Sequence, residues 1–537
     1  MGRKILLITT DQQRYEALGC NGGAIARTPV LDRLAASGIN YRRAYTQNAH
    51  CTPARVTILT GQYTRTHGVV SNARALAADG PSIAAYLAEN GYRTALLGKA
   101  HFEPMFDPLG VFTEGQLAGR GSTGPLRGFE HAELALHGAF PQLHYGAWLQ
   151  EHHPDQLHSY ITPLSSGNDS PETGAPEARP NPIQRDLYHT DWVADRTIDY
   201  LKNVSADEDW FVWMSFPDPH HPWDPPASEM HRVSWRDLDL PPAHPGSSEE
   251  IEKILAGRPA HWLAYYNGTF RNIEGAPGSF VPATLSHDAL REINAKTHVM
   301  NELIDEACGR VLRYLTDRGW DTDTDIIFTS DHGELQGDYG LLYKGPFHGD
   351  ALLRLPFIWR PAPSAGIASA VIDEPVGSLD IAATLCEIAG LEQPAWVEGK
   401  PLPTAAGSDR ERALSEWDSF LPGYGMHMRT IYRDGWLCTA YEPSTVNEPN
   451  GFERALAQGD PAHVRVLGFD SHPMGPQSPI SYGGTEGELY NLIEDPHQFV
   501  NLWDDRAYAS LRRDLVADLY DSLPSTHNSV ELLTYFA

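Results

Sequence analysis

Residues 49–61 read A-H-C-T-P-A-R-V-T-I-L-T-G, a reactive residue type running into a helix. Pro53 suits a first helical turn, where its missing N–H would go unpaired in any case. Val56, Ile58 and Leu59 supply apolar surface, and Gly61 can end the helix. Cys51 then lies at a helix N-terminus, where unpaired N–H groups and the dipole favour negative charge. Arg55 stands about one turn further on and can reach back over Cys51. The pair makes an anion cradle around a reactive side chain; the plainer alternative is a buried cysteine beside a surface arginine. Four other places carry chemistry-bearing residues just past apolar runs. They are Asp11-Gln12 after residues 4–10, Lys99 and His101 after 93–97, His220-His221 after 210–216, and Asp331-His332 after 325–330. In open α/β sheets ligands bind beyond the carboxyl ends of strands. Asp11 is therefore a metal-ligand candidate, although an N-cap aspartate reads the same way. Asp331-His332 forms a natural metal half-site. Prolines on both sides of His220-His221 fix where those imidazoles point. Asn72 could aim an amide at the site, or serve a turn.

The elements that must position these residues follow from periodicity. The run 4–10 reads as a buried central parallel strand, 210–216 and 325–330 as further buried strands, and 39–45, 93–97 and 355–360 as strands besides. Helices are expected over 28–37, 82–89, 192–201, 285–318 and 379–389. Residues 102–191 lose periodicity. Within them 165–182 is rich in Ser, Gly and Pro and reads as a long lid or binding loop. Residues 223–282, heavy in Pro and Trp, read as an insertion. Past residue 402 the texture changes to short strands at 412–416, 428–434 and 436–441, followed by a helix over 507–523. The expected architecture is α/β. A large, mainly parallel sheet sandwiched by helices fills residues 1–401, and a smaller α+β subdomain with an antiparallel sheet fills 402–537.

Composition narrows the partners. The 537 residues include 41 basic and 70 acidic ones, a net charge of −29. That excludes nucleic acid, whose affinity rests on neutralising phosphates, and an anionic membrane surface. It also means that any anion site must be a local cationic island in a repulsive field. The five cysteines are scattered and odd in number (Cys20, Cys51, Cys308, Cys386 and Cys438), which suggests a reducing compartment rather than a disulfide framework. The first residues lack the length and small-residue cleavage site of a signal peptide. No stretch is long enough to span a membrane. A cytoplasmic protein is expected.

The C-x-P-x-R stretch of Cys51, Pro53 and Arg55 resembles the signature of the sulfatase family, in the alkaline phosphatase superfamily. Gly91, Tyr92, Thr94, Gly98, Lys99 and His101 resemble that family's second signature. Pro219-His220-His221-Pro222 resembles its P-H-x-P, and residues 487–502 resemble its C-terminal L-Y-D-L…D-P…N-L pattern. The motifs run in order over nearly the whole chain.

The resemblance implies an alkaline phosphatase-like fold and oxidation of Cys51 to formylglycine by a formylglycine-generating enzyme. Asp11, Gln12, Asp331 and His332, with Cys51 as formylglycine, would hold one divalent cation, calcium or manganese. The hydrated aldehyde would attack sulfur, the alcohol would leave, and the second hydroxyl would then expel sulfate. Arg55 would stabilise the developing oxyanion and His101 would orient the diol. His220 would protonate the leaving oxygen, with His221 secondary. Lys99 and Lys344 would grip the sulfuryl oxygens, and Asn72 would contact substrate. His50 departs mildly from the signature. Gln12 and His332 depart from typical arylsulfatase ligands and match the phosphonate monoester and phosphodiester hydrolase branch. That branch carries neutral hydroxyl residues where Lys99 and His101 stand, which tips the reading to sulfate monoesters. A choline-sulfatase-like alkyl sulfatase is a further alternative, and an unmodified Cys51 would point to a binding protein instead. A small anionic ester and a homo-oligomer, dimer or tetramer, complete the expectation.

Overall fold

The computed structural model describes residues 3–104, 112–161, 167–270, 275–418, 424–443 and 480–526. In chain order, β1 is Lys4–Thr10, α1 Pro29–Ser37, β2 Ile39–Tyr41, α2 Cys51–Thr60, α3 Ile83–Glu89 and β3 Arg93–Gly98. Next come α4 Thr113–Leu117, β4 His131–Leu134, α5 His189–Lys202, β5 Trp210–Ser215, α6 Ser248–Ala256, α7 Ala260–Tyr266 and α8 His287–Asp317. Then follow β6 Thr324–Ser330, β7 Phe357–Arg360, β8 Ala370–Ile372 and α9 Asp380–Ala389. The C-terminal part has β9 Arg412–Asp418, β10 His427–Arg433, β11 Trp436–Tyr441, β12 Gly487–Asn491 and α10 Ala509–Ser522.

Eight strands form the central sheet in the order β8-β2-β7-β6-β1-β5-β3-β4. All run parallel except β7, which is antiparallel to both of its neighbours. β1 lies at the centre, between β5 and β6. Its sequence K-I-L-L-I-T-T explains that position: Ile5 and Leu7 enter one hydrophobic layer, Leu6 and Ile8 the other, and every residue is buried. The first layer holds Val56, Ile58 and Leu59 of α2 with Ile381 and Leu385 of α9. The second holds Val193 and Leu201 of α5 with Val299, Leu303 and Val311 of α8. The result is the helix–sheet–helix sandwich expected from the sequence. Four C-terminal strands make a separate antiparallel sheet, β9-β10-β11-β12, against which Leu515 and Leu519 of α10 pack.

Several elements differ from the sequence reading. The strand expected over 39–45 is broken into Ile39–Tyr41 and Ala44–Tyr45, which pair in different sheets. The aperiodic stretch 102–191 contains α4 and the edge strand β4. β4 pairs on one side only, with β3, so its residues alternate between buried and half-exposed. The insertion 223–282 folds into α6 and α7. Between them Arg258 reaches the C-terminal sheet, with its guanidinium 5.1 Å from the ring of Tyr490 and 3.7 Å from Glu488 of β12. The loop expected over 165–182 is described from residue 167. It is bound to α8 by Ser170, which donates to Glu292 at 2.8 Å. Among the described residues no helix is long and apolar enough to cross a membrane.

Candidate active site

The site lies past the carboxyl ends of β1, β3, β5 and β6. Asp11 follows β1 and Asp331 follows β6; the backbone N–H of Gln12 ties the two turns by donating to Asp331 Oδ1 at 3.0 Å. α2 delivers Cys51 between them. Its start is capped by Asn72, whose Oδ1 accepts from the Thr52 N–H at 3.0 Å. Its end is Gly61, in the left-handed conformation at φ 66°. All ten residues of α2 are buried, so the helix is a core rod that cannot slide relative to the sheet.

Ligand atoms of Asp11, Cys51, Asp331 and His332 all lie within 4.8 Å of one another. The Cys51 thiol faces Asp11 Oδ1 at 3.6 Å and His332 Nε2 at 3.2 Å. His332 donates from Nδ1 to the Gly333 carbonyl at 2.8 Å, which leaves the Nε2 lone pair for the cluster. Gln12 is adjacent, but its amide is engaged elsewhere. Its Nε2 donates to Glu334 and its Oε1 accepts from Lys344 at 2.6 Å. Gln12 also adopts φ 67°, an uncommon left-handed conformation for a residue with a side chain.

Arg55 is fully buried behind the carboxylates. It donates to Asp331 Oδ2 at 2.9 Å, to Asp11 Oδ2 at 3.4 Å, to the Lys99 carbonyl at 2.9 Å and to Ser215 Oγ at 2.8 Å. Lys99 pairs with Asp11 and meets His137 Nε2 at 3.0 Å. Burial and mutual repulsion would raise both aspartates. Lys99 and Arg55 overcome this for Asp11, which stays well below the usual carboxylate range. Arg55, Lys99 and the Gln12 N–H bring Asp331 to about 2. Two anionic carboxylates and a neutral imidazole, all fully buried, make a donor set that fits one divalent cation of the calcium or manganese kind. Burial pushes the Cys51 thiol up to about 11, with the Asp11 charge next in weight. An unmodified Cys51 is thus protonated at neutral pH and a poor nucleophile.

On the other side, Lys344 donates to His220 Nε2 at 2.8 Å, and His220 Nδ1 donates to the His221 carbonyl. His221 in turn meets Glu177 at 2.8 Å, a buried residue of the 165–182 loop. His101 is buried at φ 56°, and neither ring nitrogen has a partner among the described residues. Burial, then neighbouring cations and imidazoles, hold His101 and His220 well below the usual histidine range. Every sequence-derived candidate therefore converges on one region, with Arg55 and Asn72 engaged behind it.

Two residues were missed. His137 stacks on His220 with ring centroids 3.7 Å apart and planes 11° from parallel. It follows β4, so the strand-end rule would have found it had that strand been read. Glu334 is buried beside Gln12, and burial pushes its carboxyl well up despite Lys344 and Arg14. It had a visible signal, two residues past His332.

The sulfatase family model matches residues 3–391. The chain belongs to the sulfatase family. An arylsulfatase of Clostridium perfringens is 29% identical over 440 residues, covering 79% of this chain and 81% of that protein. The multifunctional alkaline phosphatase superfamily protein PehA of Trinickia caryophylli is 27% identical, covering 95% and 93%. Among solved structures, the phosphonate monoester hydrolase of Agrobacterium radiobacter is similar with a TM-score of 0.73 and 24% identity, covering 97% of this sulfatase and 95% of that chain. At that identity the likeness speaks for the fold alone.

Proposed function

We propose that this sulfatase hydrolyses sulfate monoesters, aryl or alkyl, with Cys51 matured to formylglycine. The observation that carries the reading is the position of the Cys51 side chain. It lies inside the Asp11–Asp331–His332 cluster, with the Lys99 and Lys344 ammonium groups close by. Asp11, Asp331 and His332 would hold one divalent cation with the matured side chain, and Gln12 would join through Oε1, which in the resting site accepts from Lys344. When bound, the ion neutralises charge on the ester oxygens, and formylglycine supplies hydroxyl groups for attack and for release.

The chain's own residues do the rest. Lys99 and Lys344 attract the sulfuryl oxygens and fix the ester's orientation. His220 sits at the leaving-group side. Its Nε2 accepts from Lys344 in the resting site, so the Lys344–His220 pair is the source of the proton the departing alcohol needs. His101, with both ring nitrogens unpartnered, is free to hydrogen-bond the nucleophile. Arg55 donates to both aspartates, to the Lys99 carbonyl and to Ser215 Oγ, which suits a role in holding the aspartates ionised and in place, rather than the oxyanion contact the family pattern implies.

A second reading, hydrolysis of phosphonate monoesters or phosphodiesters, is favoured by Gln12 and His332. These esters also carry a single negative charge, so cross-activity follows. The five unpaired cysteines support a reducing, cytoplasmic setting. The test has two parts. Mass spectrometry of the Cys51 peptide should reveal the aldehyde, and kcat/KM should be highest for an aryl or alkyl sulfate. A phosphonate monoester turned over faster than both sulfates would reverse the order of the two readings.

A further inference from the structure

His137 lies outside every sequence motif, yet it occupies the space between the two halves of the site. Its Nε2 is 3.0 Å from Lys99 Nζ, and its ring lies flat on that of His220. An ammonium has hydrogens to give and no lone pair to offer. The Nε2 atom must therefore accept, and the ring proton must sit on Nδ1. That Nδ1–H is buried and has no acceptor among the described residues. A buried donor left without an acceptor is costly, and such groups in native sites commonly belong to a ligand's contact set.

We infer that His137 is a substrate-contacting residue whose Nδ1–H donates to an oxygen of the bound ester, on the side between Lys99 and His220. The inference rests on the hydrolase reading above and deepens it. Two features of the surroundings fit. The stack on His220 restrains the ring's tilt, so the N–H direction is fixed before the ester arrives. The bond from Lys99 fixes the tautomer, so the group enters as a donor. The contact also links the lysine that grips the sulfuryl group to the histidine at the leaving oxygen, which makes the residue responsive to both ends of the ester bond.

The test uses full-length, formylglycine-matured, metal-loaded protein carrying His137→Leu or His137→Asn. The asparagine amide N–H stands near the position of Nδ1–H, while leucine keeps bulk without a donor. His137→Leu should lower kcat/KM for 4-nitrophenyl sulfate by roughly ten- to a hundred-fold, the worth of a hydrogen bond to a charged group. It should also weaken inhibition by inorganic sulfate by a similar factor. His137→Asn should return to within roughly five-fold of the parent in both measurements. An asparagine variant no better than leucine, or a sulfate inhibition constant that leucine leaves unchanged, overturns the contact. If the leucine variant fails to fold, His137→Ala takes its place in the same comparison. A parent enzyme that turns over a phosphonate monoester but no sulfate overturns the substrate reading alone. The variants are then compared on that ester, so the two failures remain distinguishable.

Discussion

The candidate site keeps two carboxylates charged although both are fully buried, and single residues show how. The positive charge of Arg55 and Lys99 keeps Asp11 and Asp331 ionised against the cost of burial. Asp331→Ala should therefore cost both the bound metal, read by elemental analysis, and essentially all turnover. A full metal complement in that variant would show that the ion is held elsewhere. At Cys51 the expected outcome depends on the replacement. Serine offers one hydroxyl where the hydrated aldehyde has two, so Cys51→Ser should release about one equivalent of alcohol per active site and then stop. Sustained turnover by the serine variant would contradict a mechanism that needs the second hydroxyl. These residues were legible in the sequence because each stands directly after an apolar run or inside a dense motif. The hydrogen bonding of Arg55 was not, since a side chain's partners across four elements leave no trace in local spacing.

Elements set the precision of the site. β3 ends in Gly98 at φ 107°, and a Cβ there would fall on the carbonyl of Ser215 in β5. The glycine lets the Lys99 N–H donate to that same carbonyl at 2.8 Å and so aims the lysine. Gly98→Ala should cost at least about 2 kcal/mol in denaturant unfolding, because backbone strain and a clash add. Its residual activity should be lower still than the stability loss explains. The central strands could be read from sequence because a strand buried on both faces is a continuous apolar run. The edge strand β4 could not, since H-A-E-L mixes polar and apolar residues and carries no such run. Missing β4 hid His137, a loss at the element scale that became a loss at the residue scale. Helices α6 and α7 escaped for a related reason. Both are short, and α7 is rich in aromatic residues and held by a contact 226 positions away in sequence, Trp262 with Glu488.

The molecule as a whole carries −29 charges around a cationic pocket. An anionic ester approaches against that field. Raising salt from about 0.01 to about 0.15 M shortens the screening length from about 30 to about 8 Å, and should raise kcat/KM by roughly two-fold or more. A fall with salt would mean that the pocket's local charge dominates the approach. Acid should act through buried neutral imidazoles. Burial lowers His67, His261 and His348 each to about 3. The unfolded chain takes up a proton at each near pH 6.5, and the folded chain does so only near 3. Stability contributed by keeping them neutral is complete above pH 6.5 and drains as pH falls toward 3, at about 1.4 kcal/mol per pH unit per histidine. The melting temperature should therefore decline from pH 6.5 downward, and His67→Gln should flatten the slope. A melting temperature constant between pH 6.5 and 4.5 would refute the assignment. The bond from the Gln12 backbone to Asp331 has one more consequence, because it spans 319 positions. During synthesis β1 is made before either neighbour, an apolar strand that waits for β5 and then β6. Loop closure over that distance is slow, and the exposed strand invites mispairing meanwhile. The cluster around Cys51 thus cannot exist until β6 and the turn after it are made. A ribosome stalled before Ser330 would display the strand but no catalytic centre, and the interval in which β1 stands alone is when this chain most needs a chaperone.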